Sequence, residues 1–380
     1  MKKQTVIGLI LAAVLVTFLV IGVYRSKNVS GDGKMSGKET AAVNKTEEPS
    51  PEEILRTALN SNDGQTIYDA AKAASPEVFA AAMKNAPRRA VPLALRSASP
   101  EAIKALVAGN ANPASDFTYD LNDKENGIII KKYTGRKPHL IIPSEIEGYP
   151  VVQIGTGKKT PMLSGIDIWE GITTLNENAK DYNDNWTGLE AVVIPEGVTI
   201  IARYAFRNLK LETVVLPSSL AEIQEYAFAD NKNLKQINFS ACGNLRIIKD
   251  FAFSYTALGN INLSKIPLAE LGSGAFGHCE QLRTVKLPDT LAYIGNEYWG
   301  NGTFEYCPKL TDINLPSGLK ALYGSTFYQC KELANLTIPD SLTTVKFIDR
   351  TYDTRTFNGC DKLPIATRLQ LKKLGYSGEF

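Results

Sequence analysis

The sequence predicts an α+β chain: a solenoid of short parallel strands, preceded by a small helical stack and an N-terminal membrane anchor. Three observations predict it. A strand-like phrase recurs seven times between residues 189 and 363. A Ser-Pro-Glu triplet recurs three times between residues 50 and 101. An uncharged run of twenty residues, Thr5 to Tyr24, follows Lys2 and Lys3.

The phrase begins at Leu189, Leu211, Leu234, Leu258, Leu282, Leu310 and Leu333, here copies 1 to 7. Positions one, four and six are apolar, as in Leu310, Ile313 and Leu315. Positions three and five are mostly polar, as in Asp312 and Asn314. Such alternation puts one side of a short strand inward and the other in solvent. Position seven is proline in five copies, where it ends the strand because it cannot donate to a ladder. Ser240 and Ser264 replace it in copies 3 and 4. Each copy then closes on an aromatic: Phe206, Phe228, Phe253, Phe276, Phe304, Phe327 and Phe357. These are 22, 25, 23, 28, 23 and 30 residues apart. A period in the twenties with leucines at positions one, four and six is the signature of a leucine-rich repeat solenoid. One copy cannot bury its own apolar side. Stacked copies can, with strands paired at roughly 4.8 Å per copy into a rod of about 35 Å. The phenylalanines should then form one internal column.

The phrase Leu-x-x-Ile-x-Leu-Pro-x-x-Leu-x-x-Ile-x-x-x-Ala-Phe-x-x-Cys resembles the BspA-type leucine-rich repeat of bacterial surface proteins. The resemblance covers about residues 128 to 363. It implies a curved right-handed solenoid with an irregular convex side, outside a cell, binding proteins of a host or of neighbouring cells.

Composition agrees with a globular chain, 44% hydrophobic and 22% charged. With 42 basic and 40 acidic residues, the net charge of +2 is too balanced for a nucleic-acid partner held by bulk field. Five cysteines cannot all pair within one chain. Four of them, Cys279, Cys307, Cys330 and Cys360, stand three residues after a phenylalanine, a position that Asn231 holds in copy 2. That reads as a buried ladder of small side chains. The Cys-x-x-Cys spacing of a zinc site is absent.

In chain order, residues 1–24 form the anchor. Twenty apolar residues span about 30 Å, the thickness of a bilayer core. The run is longer than the apolar region of a signal peptide, and its exit lacks a small-x-small site. It reads as an uncleaved single-pass anchor; a cleaved signal is the alternative. Lys2 and Lys3 favour an inside N-terminus, while Arg25, Lys27, Lys34 and Lys38 pull the other way. The family resemblance favours repeats on the outside. Residues 25–49, rich in Ser, Gly, Lys, Thr and Glu, form a flexible linker.

Residues 50–113 form the helical stack. Ser50-Pro51-Glu52, Ser75-Pro76-Glu77 and Ser99-Pro100-Glu101 each carry a capping serine, a proline at the first helical position and a glutamate at the positive end. Thr66–Ala74 and Ala90–Ala98 read as partner helices. The stretch resembles ankyrin repeats at Ala108 to Pro113, although each copy is about eight residues shorter than an ankyrin repeat. Residues 114–188 hold a cap hairpin around Asn126-Gly127, a degraded repeat at Leu140 to Ile154, and an insertion. The repeats fill residues 189–363. Residues 364–380 read as a basic amphipathic helix that caps the far end, with Lys372, Lys373 and Gly375 as stop signals.

No catalytic, metal or cofactor site is expected. The two histidines, His139 and His278, lie far apart, and no phosphate-loop or nucleophile-elbow motif is present. Asp181 to Trp186 has acidic residues, but Trp186 stands where a calcium loop needs glycine and Val192 where it needs glutamate. Two candidate binding features remain. One is the outward band of the strands: Thr213 and Val215, then Gln236, Asn238, Asn260, Asn262, Thr284, Lys286, Asp312, Asn314, Asn335 and Thr337. Its short amides and hydroxyls lose little entropy on binding. The other is the set of aromatics in the insertions: Trp169, Trp186, Tyr298 and Trp299. Solenoid insertions emerge as loops, and tryptophan is favoured at binding hot spots. These features predict a non-enzymatic, membrane-tethered surface protein that binds a protein ligand or adheres through its solenoid. A cell-envelope scaffold with an envelope protein as partner is the alternative. A carbohydrate-binding module using the loop tryptophans is a third reading.

Overall fold

The computed structural model describes residues 49–157, 159–161, 167–169, 188–296, 300–345 and 355–380. The anchor expected at residues 1–24 lies outside them. None of the described helices is long and apolar enough to cross a membrane. The chain divides into two compact units after Gly109.

The first unit is helical: Pro51–Asn60, Gly64–Ala73, Pro76–Met83, Val91–Leu95 and Pro100–Asn110. The triplets start three of these helices. Ser50 Oγ accepts the Glu53 N–H at 3.3 Å and the Glu53 carboxylate accepts the Ser50 N–H at 2.8 Å, a reciprocal cap. Ser75 and Ser99 cap through Val78 N at 3.4 Å and Ala102 N at 3.1 Å. Leu55, Leu59, Ile67, Phe79, Ala94 and Leu106 are buried among them. Asp63, not Thr66, starts the second helix, because its carboxylate accepts the N–H groups of Gln65 and Thr66.

The second unit is a solenoid. It opens with an antiparallel pair, Phe117–Leu121 against Ile128–Tyr133. The turn occupies residues 122–127, closed by Asn122 N–H to Gly127 O at 2.8 Å and Asn126 N–H to Asn122 Oδ1 at 3.0 Å. Gly127 is required there, since a Cβ would lie 2.7 Å from the Val152 side chain. His139–Ile141 then pairs in parallel with Ala191–Val193, and Gln153 and Ile154 pair with Ile200 and Ile201. The degraded repeat is thus a terminal copy that stacks on copy 1.

The copies make contact along three ladders. The first strands form two parallel sheets: His139–Ile141, Ala191–Val193, Thr213–Val215 and Gln236–Ile237 in one; Asn260–Asn262, Thr284–Lys286, Asp312–Asn314 and Asn335–Thr337 in the other. The continuous sheet expected from the repeats is therefore broken after copy 3. There Phe239 replaces the usual aliphatic at position six, and Ser240 the proline. The chain coils into a 3-10 turn, Phe239–Ala241, and the strand ends at Ile237. The Phe239 ring meets Phe253 edge-on at 5.3 Å.

The opposite side is not wholly irregular. Two-residue strands such as Ile200–Ile201, Glu222–Ile223, Ile247–Ile248 and Glu270–Leu271 form a second parallel sheet. The third ladder runs through the Ala-Phe corner. In copies 1 to 6 the phenylalanine N–H donates to the next copy's Ala or Thr carbonyl, for example Phe253 to Ala275 at 2.8 Å, and in copy 7 the Phe357 N–H donates to Tyr376 Oη at 3.3 Å. Two residues later the backbone is left-handed in all seven copies: Asn208, Asp230, Tyr255, His278, Tyr306, Gln329 and Gly359, with φ from 53 to 79°. That conformation costs an L-residue roughly 1–2 kcal/mol. It is offset by a further bond to the next copy, as from His278 N–H to Glu305 O at 2.7 Å.

The core is one cluster along the whole solenoid. All seven phenylalanines are 0% exposed. Their rings stack at 5.2, 5.2, 5.3, 5.9, 6.0 and 5.5 Å, within 25° of parallel. At the far end, the helix Ile365–Lys373 buries Leu371, but Ile365 and Leu369 are 77% and 58% exposed. The amphipathic reading of that helix is thus corrected: its short apolar side only partly reaches the core. Closure comes from Tyr376 and Phe380, whose rings lie 5.3 and 6.4 Å from Phe357.

Candidate binding surface

The register places the outward residues of copies 4 to 7 in two rows. Asn260, Thr284, Asp312 and Asn335 form one; Asn262, Lys286, Asn314 and Thr337 form the other. All are exposed except Thr284, which is half-buried. The band does not extend to copy 2 as expected. Thr213 and Val215 are 2% and 5% exposed, and Ala191 and Val193 are buried beside them. Three of these four outward positions are apolar, as in a sheet covered on both faces. The band therefore begins at Gln236, which is exposed, and Asn238, which is half-buried.

Several amides in the band already serve the backbone. Asn238 Oδ1 accepts the Leu216 N–H at 2.6 Å, and its Nδ2 donates to Leu216 O at 3.0 Å. Asn314 does the same for Leu287, at 2.8 and 3.1 Å. Elsewhere a position-six N–H donates to the next copy's position-five carbonyl, as Ile194 does to Val215 at 3.0 Å. The asparagine side chain thus stands in for a peptide group. Asn262 Oδ1 accepts from Ser264 N and Oγ, at 3.2 and 2.8 Å. Thr284 Oγ1 donates to Asn260 Oδ1 at 2.7 Å. Gln236, Lys286, Asp312, Asn335 and Thr337 keep outward polar groups without such bonds among the described residues.

Trp186, Tyr298 and Trp299 lie outside the described residues. Trp169 ends the strand Asp167–Trp169, which pairs antiparallel with Lys159–Pro161 and sets Trp169 opposite Lys159.

Sequence reasoning missed two aromatic columns on the solenoid corner. Tyr204, Tyr226 and Phe251 stack at 5.0 and 4.9 Å, with the Arg207 guanidinium 5.3 and 5.5 Å from the tyrosine rings. Tyr255, His278 and Tyr306 stack at 4.2 and 4.5 Å. Their signal was an aromatic two residues before or after the phenylalanine. Burial between the tyrosines pushes the His278 imidazole below its ordinary pKa. His139 instead lies 3.6 Å from Glu190, in the terminal copy.

The cysteine column is structural. Sγ of Cys279, Cys307, Cys330 and Cys360 donates to the preceding copy's phenylalanine carbonyl at 3.3, 3.2, 3.1 and 3.1 Å. Asn231 Nδ2 does the same to Phe206 O at 2.7 Å. Burial pushes the Cys330 thiol well above its ordinary pKa and the Cys360 thiol up to about 12. No group of three potential metal ligands occurs among the described residues.

One cavity lies on the band, at the break between copies 3 and 4. Its volume is about 440 Å³. Lys235 and Gln236 line one side, Gly259 and Asn260 the floor, and Gln281 and Arg283 the other side. Only Gln236 and Asn260 were among the sequence candidates. Lys235, Gly259 and Arg283 occupy position two, whose other members are not distinctive in type.

The family pattern for BspA type leucine rich repeat regions matches residues 180–301 and 297–370 in six copies, together just over half the chain. No curated protein matches the chain. Among solved structures, a leucine-rich repeat protein of T. pallidum is 28% identical, with a TM-score of 0.46, covering 71% of this chain and 99% of that one. A leucine-rich repeat protein from Bacteroides ovatus is 24% identical, with a TM-score of 0.47, covering 62% and 55%. A leucine rich cell surface protein from Faecalibacterium prausnitzii is 19% identical, with a TM-score of 0.24, covering 71% and 98%. The helical unit that precedes the repeats is not identified as ankyrin. From the matched copies and the stacked phenylalanine corners that they encode, the chain belongs to the BspA-type leucine-rich repeat proteins.

Proposed function

We propose that the protein is a non-enzymatic recognition protein of a bacterial cell surface, held to the membrane by residues 1–24 and binding a protein ligand through the outward face of its first strands. The observation that carries the reading is the band of copies 4 to 7. It is a fixed, exposed surface of short polar side chains on a rigid core, with alternating exposed and buried residues in Asn260–Asn262, Asp312–Asn314 and Asn335–Thr337. A surface of this kind loses little conformational entropy when it binds. The loop aromatics Trp169, Trp186, Tyr298 and Trp299 would extend it. The location outside the cell follows from the family resemblance and the apolar run Thr5 to Tyr24.

The test uses intact cells that express the full chain. External protease should remove the repeats while the first 24 residues stay with the membrane. The same cells should adhere to immobilised host matrix proteins or neighbouring cells before shaving and lose adhesion after it. Protected repeats would place the solenoid in the cytoplasm and overturn the location. Adhesion unchanged by shaving would overturn the binding role.

A further inference from the structure

The break after copy 3 leaves the 440 Å³ notch unlike the rest of the band, because two cations and the NH2 ends of two spent amides line it with no carboxylate among them. Lys235 and Arg283 flank it, and neither makes an ion pair among the described residues. Arg203, Arg207 and Lys249 on the solenoid corner are paired, with Glu225, Asp230 and Glu270, whereas Lys235 and Arg283, like Lys286 on the band, are not among the described residues. Gln281 Oε1 is taken by the Lys309 ammonium at 2.7 Å. An ammonium only donates, so the amide NH2 of Gln281 is left for the notch. Asn260 Oδ1 is likewise taken by Thr284, which leaves its Nδ2.

The backbone adds one more donor. In the other copies a position-two N–H donates to the preceding position-two carbonyl: Lys235 to Glu212 at 3.2 Å, Arg283 to Gly259 at 2.7 Å, Thr311 to Arg283 at 2.9 Å. The Gly259 N–H makes no such bond among the described residues. Glycine also keeps the floor open, since a Cβ there would meet only Gln281 O, at 3.8 Å. No carboxylate lines the notch, and no aromatic ring does.

We propose that this notch binds the carboxylate of an acidic segment of the protein partner. The inference rests on the recognition function above and names the chemistry of its ligand. Two cations and two amide donors around a cavity of this size match a carboxylate oxygen pair. The open Gly259 N–H and Lys235 carbonyl match the backbone of an extended peptide, as in strand addition. An acidic sugar fits less well, because its ring has no aromatic face to stack on.

The test is fluorescence anisotropy on the full-length protein, with a labelled octapeptide of alternating glutamate and serine. The peptide with glutamine for glutamate is the neutral control, and oligogalacturonate is the acidic sugar control. The glutamate peptide should bind, weaken as salt rises, and exceed the glutamine peptide at least tenfold. Lys235→Gln with Arg283→Gln should lower its affinity at least tenfold. Gly259→Val, which fills the floor without altering charge, should lower it at least fivefold. Lys320→Gln, on an exposed lysine outside the notch, should leave it unchanged, and melting curves confirm that each variant folds. Equal binding of both peptides, or no effect of the double variant, overturns the proposal. Binding of oligogalacturonate without the peptide also overturns it, in favour of a glycan site. If notch variants lose the peptide but cells carrying them adhere normally, the notch does not hold the partner while the recognition function stands. If wild-type cells fail to adhere as well, that function falls with it.

Discussion

Phe253→Ala tests the core at its middle. Phe253 is 0% exposed, stacks on Phe228 at 5.2 Å and on Phe276 at 5.3 Å, and meets Phe239 edge-on at 5.3 Å. Truncating a buried phenylalanine costs about 3–5 kcal/mol, and each ring pair is worth about 0.5–1.5 kcal/mol beyond its area. These terms overlap, so the expected loss is about 4–6 kcal/mol. Phe206 is equally buried but stacks on one ring only among the described residues, Phe228 at 5.2 Å. Phe206→Ala should therefore cost about 3–4 kcal/mol. Position matters too. In a stack with nearest-neighbour coupling, a central defect uncouples two halves while a terminal one frays an end. Guanidinium unfolding, followed by circular dichroism and tyrosine fluorescence, should show a lower midpoint for Phe253→Ala and a shallower slope. A loss below about 1 kcal/mol would refute the reasoning. So would a Phe206→Ala loss equal to that of Phe253→Ala.

Three further outcomes are expected. Asn314→Ala removes both bonds to the Leu287 peptide and should cost about 1–3 kcal/mol, while Asn335→Ala, exposed one strand away, should stay within about 0.5 kcal/mol in the same denaturation assay. The five cysteines are buried, and burial raises Cys242 and Cys360 to about 12, so a chromogenic disulfide should titrate no thiol in the native protein and all five in guanidinium. His278 is lowered by burial below the 6.5 of the free imidazole, against the opposing pull of Glu305 and Glu280. The unfolded chain then binds the proton more readily. Stability is fully present above pH 6.5 and falls as pH drops from there to the folded-state pKa. His278→Asn suits the left-handed backbone, and the difference in melting temperature between it and the parent should change between pH 7.5 and about pH 5. A constant difference would remove the histidine from the pH response.

The sequence announced the parts of the fold that every copy repeats. Leucines at positions one, four and six and the closing phenylalanine are the residues whose burial holds the stack, so their period is the period of the core. The burial of Thr213 and Val215 was also written there, because Ala191, Val193 and Val215 are apolar on the side that should face water. The second sheet was not. Its strands are two residues long and bury one of them, as in Glu222–Ile223, which leaves no alternation to detect. The left-handed corner was hidden as well. Tyr255, Tyr306 and Gln329 are not residues that favour it; the two tyrosines are held there by stacking on His278 and, like Gln329, by bonds to the next copy.

The binding band shows why a surface is harder to read than a core. An asparagine at position five looks the same whether it awaits a ligand or replaces a peptide group. Asn238 and Asn314 spend both ends of the amide on leucine backbones, and nothing in their spacing says so. Asn260 and Gln281 spend only the oxygen, on Thr284 and Lys309. What each amide still offers depends on the residue in the next copy, about 25 positions away. The notch follows the same logic. Phe239 at position six shortens one strand, the missing ladder bond exposes the Gly259 N–H, and two unpaired cations flank the gap. The turn at Phe239 and the one unshared backbone donor at position two among the copies described, the Gly259 N–H, thus fall at the same break, between copies 3 and 4.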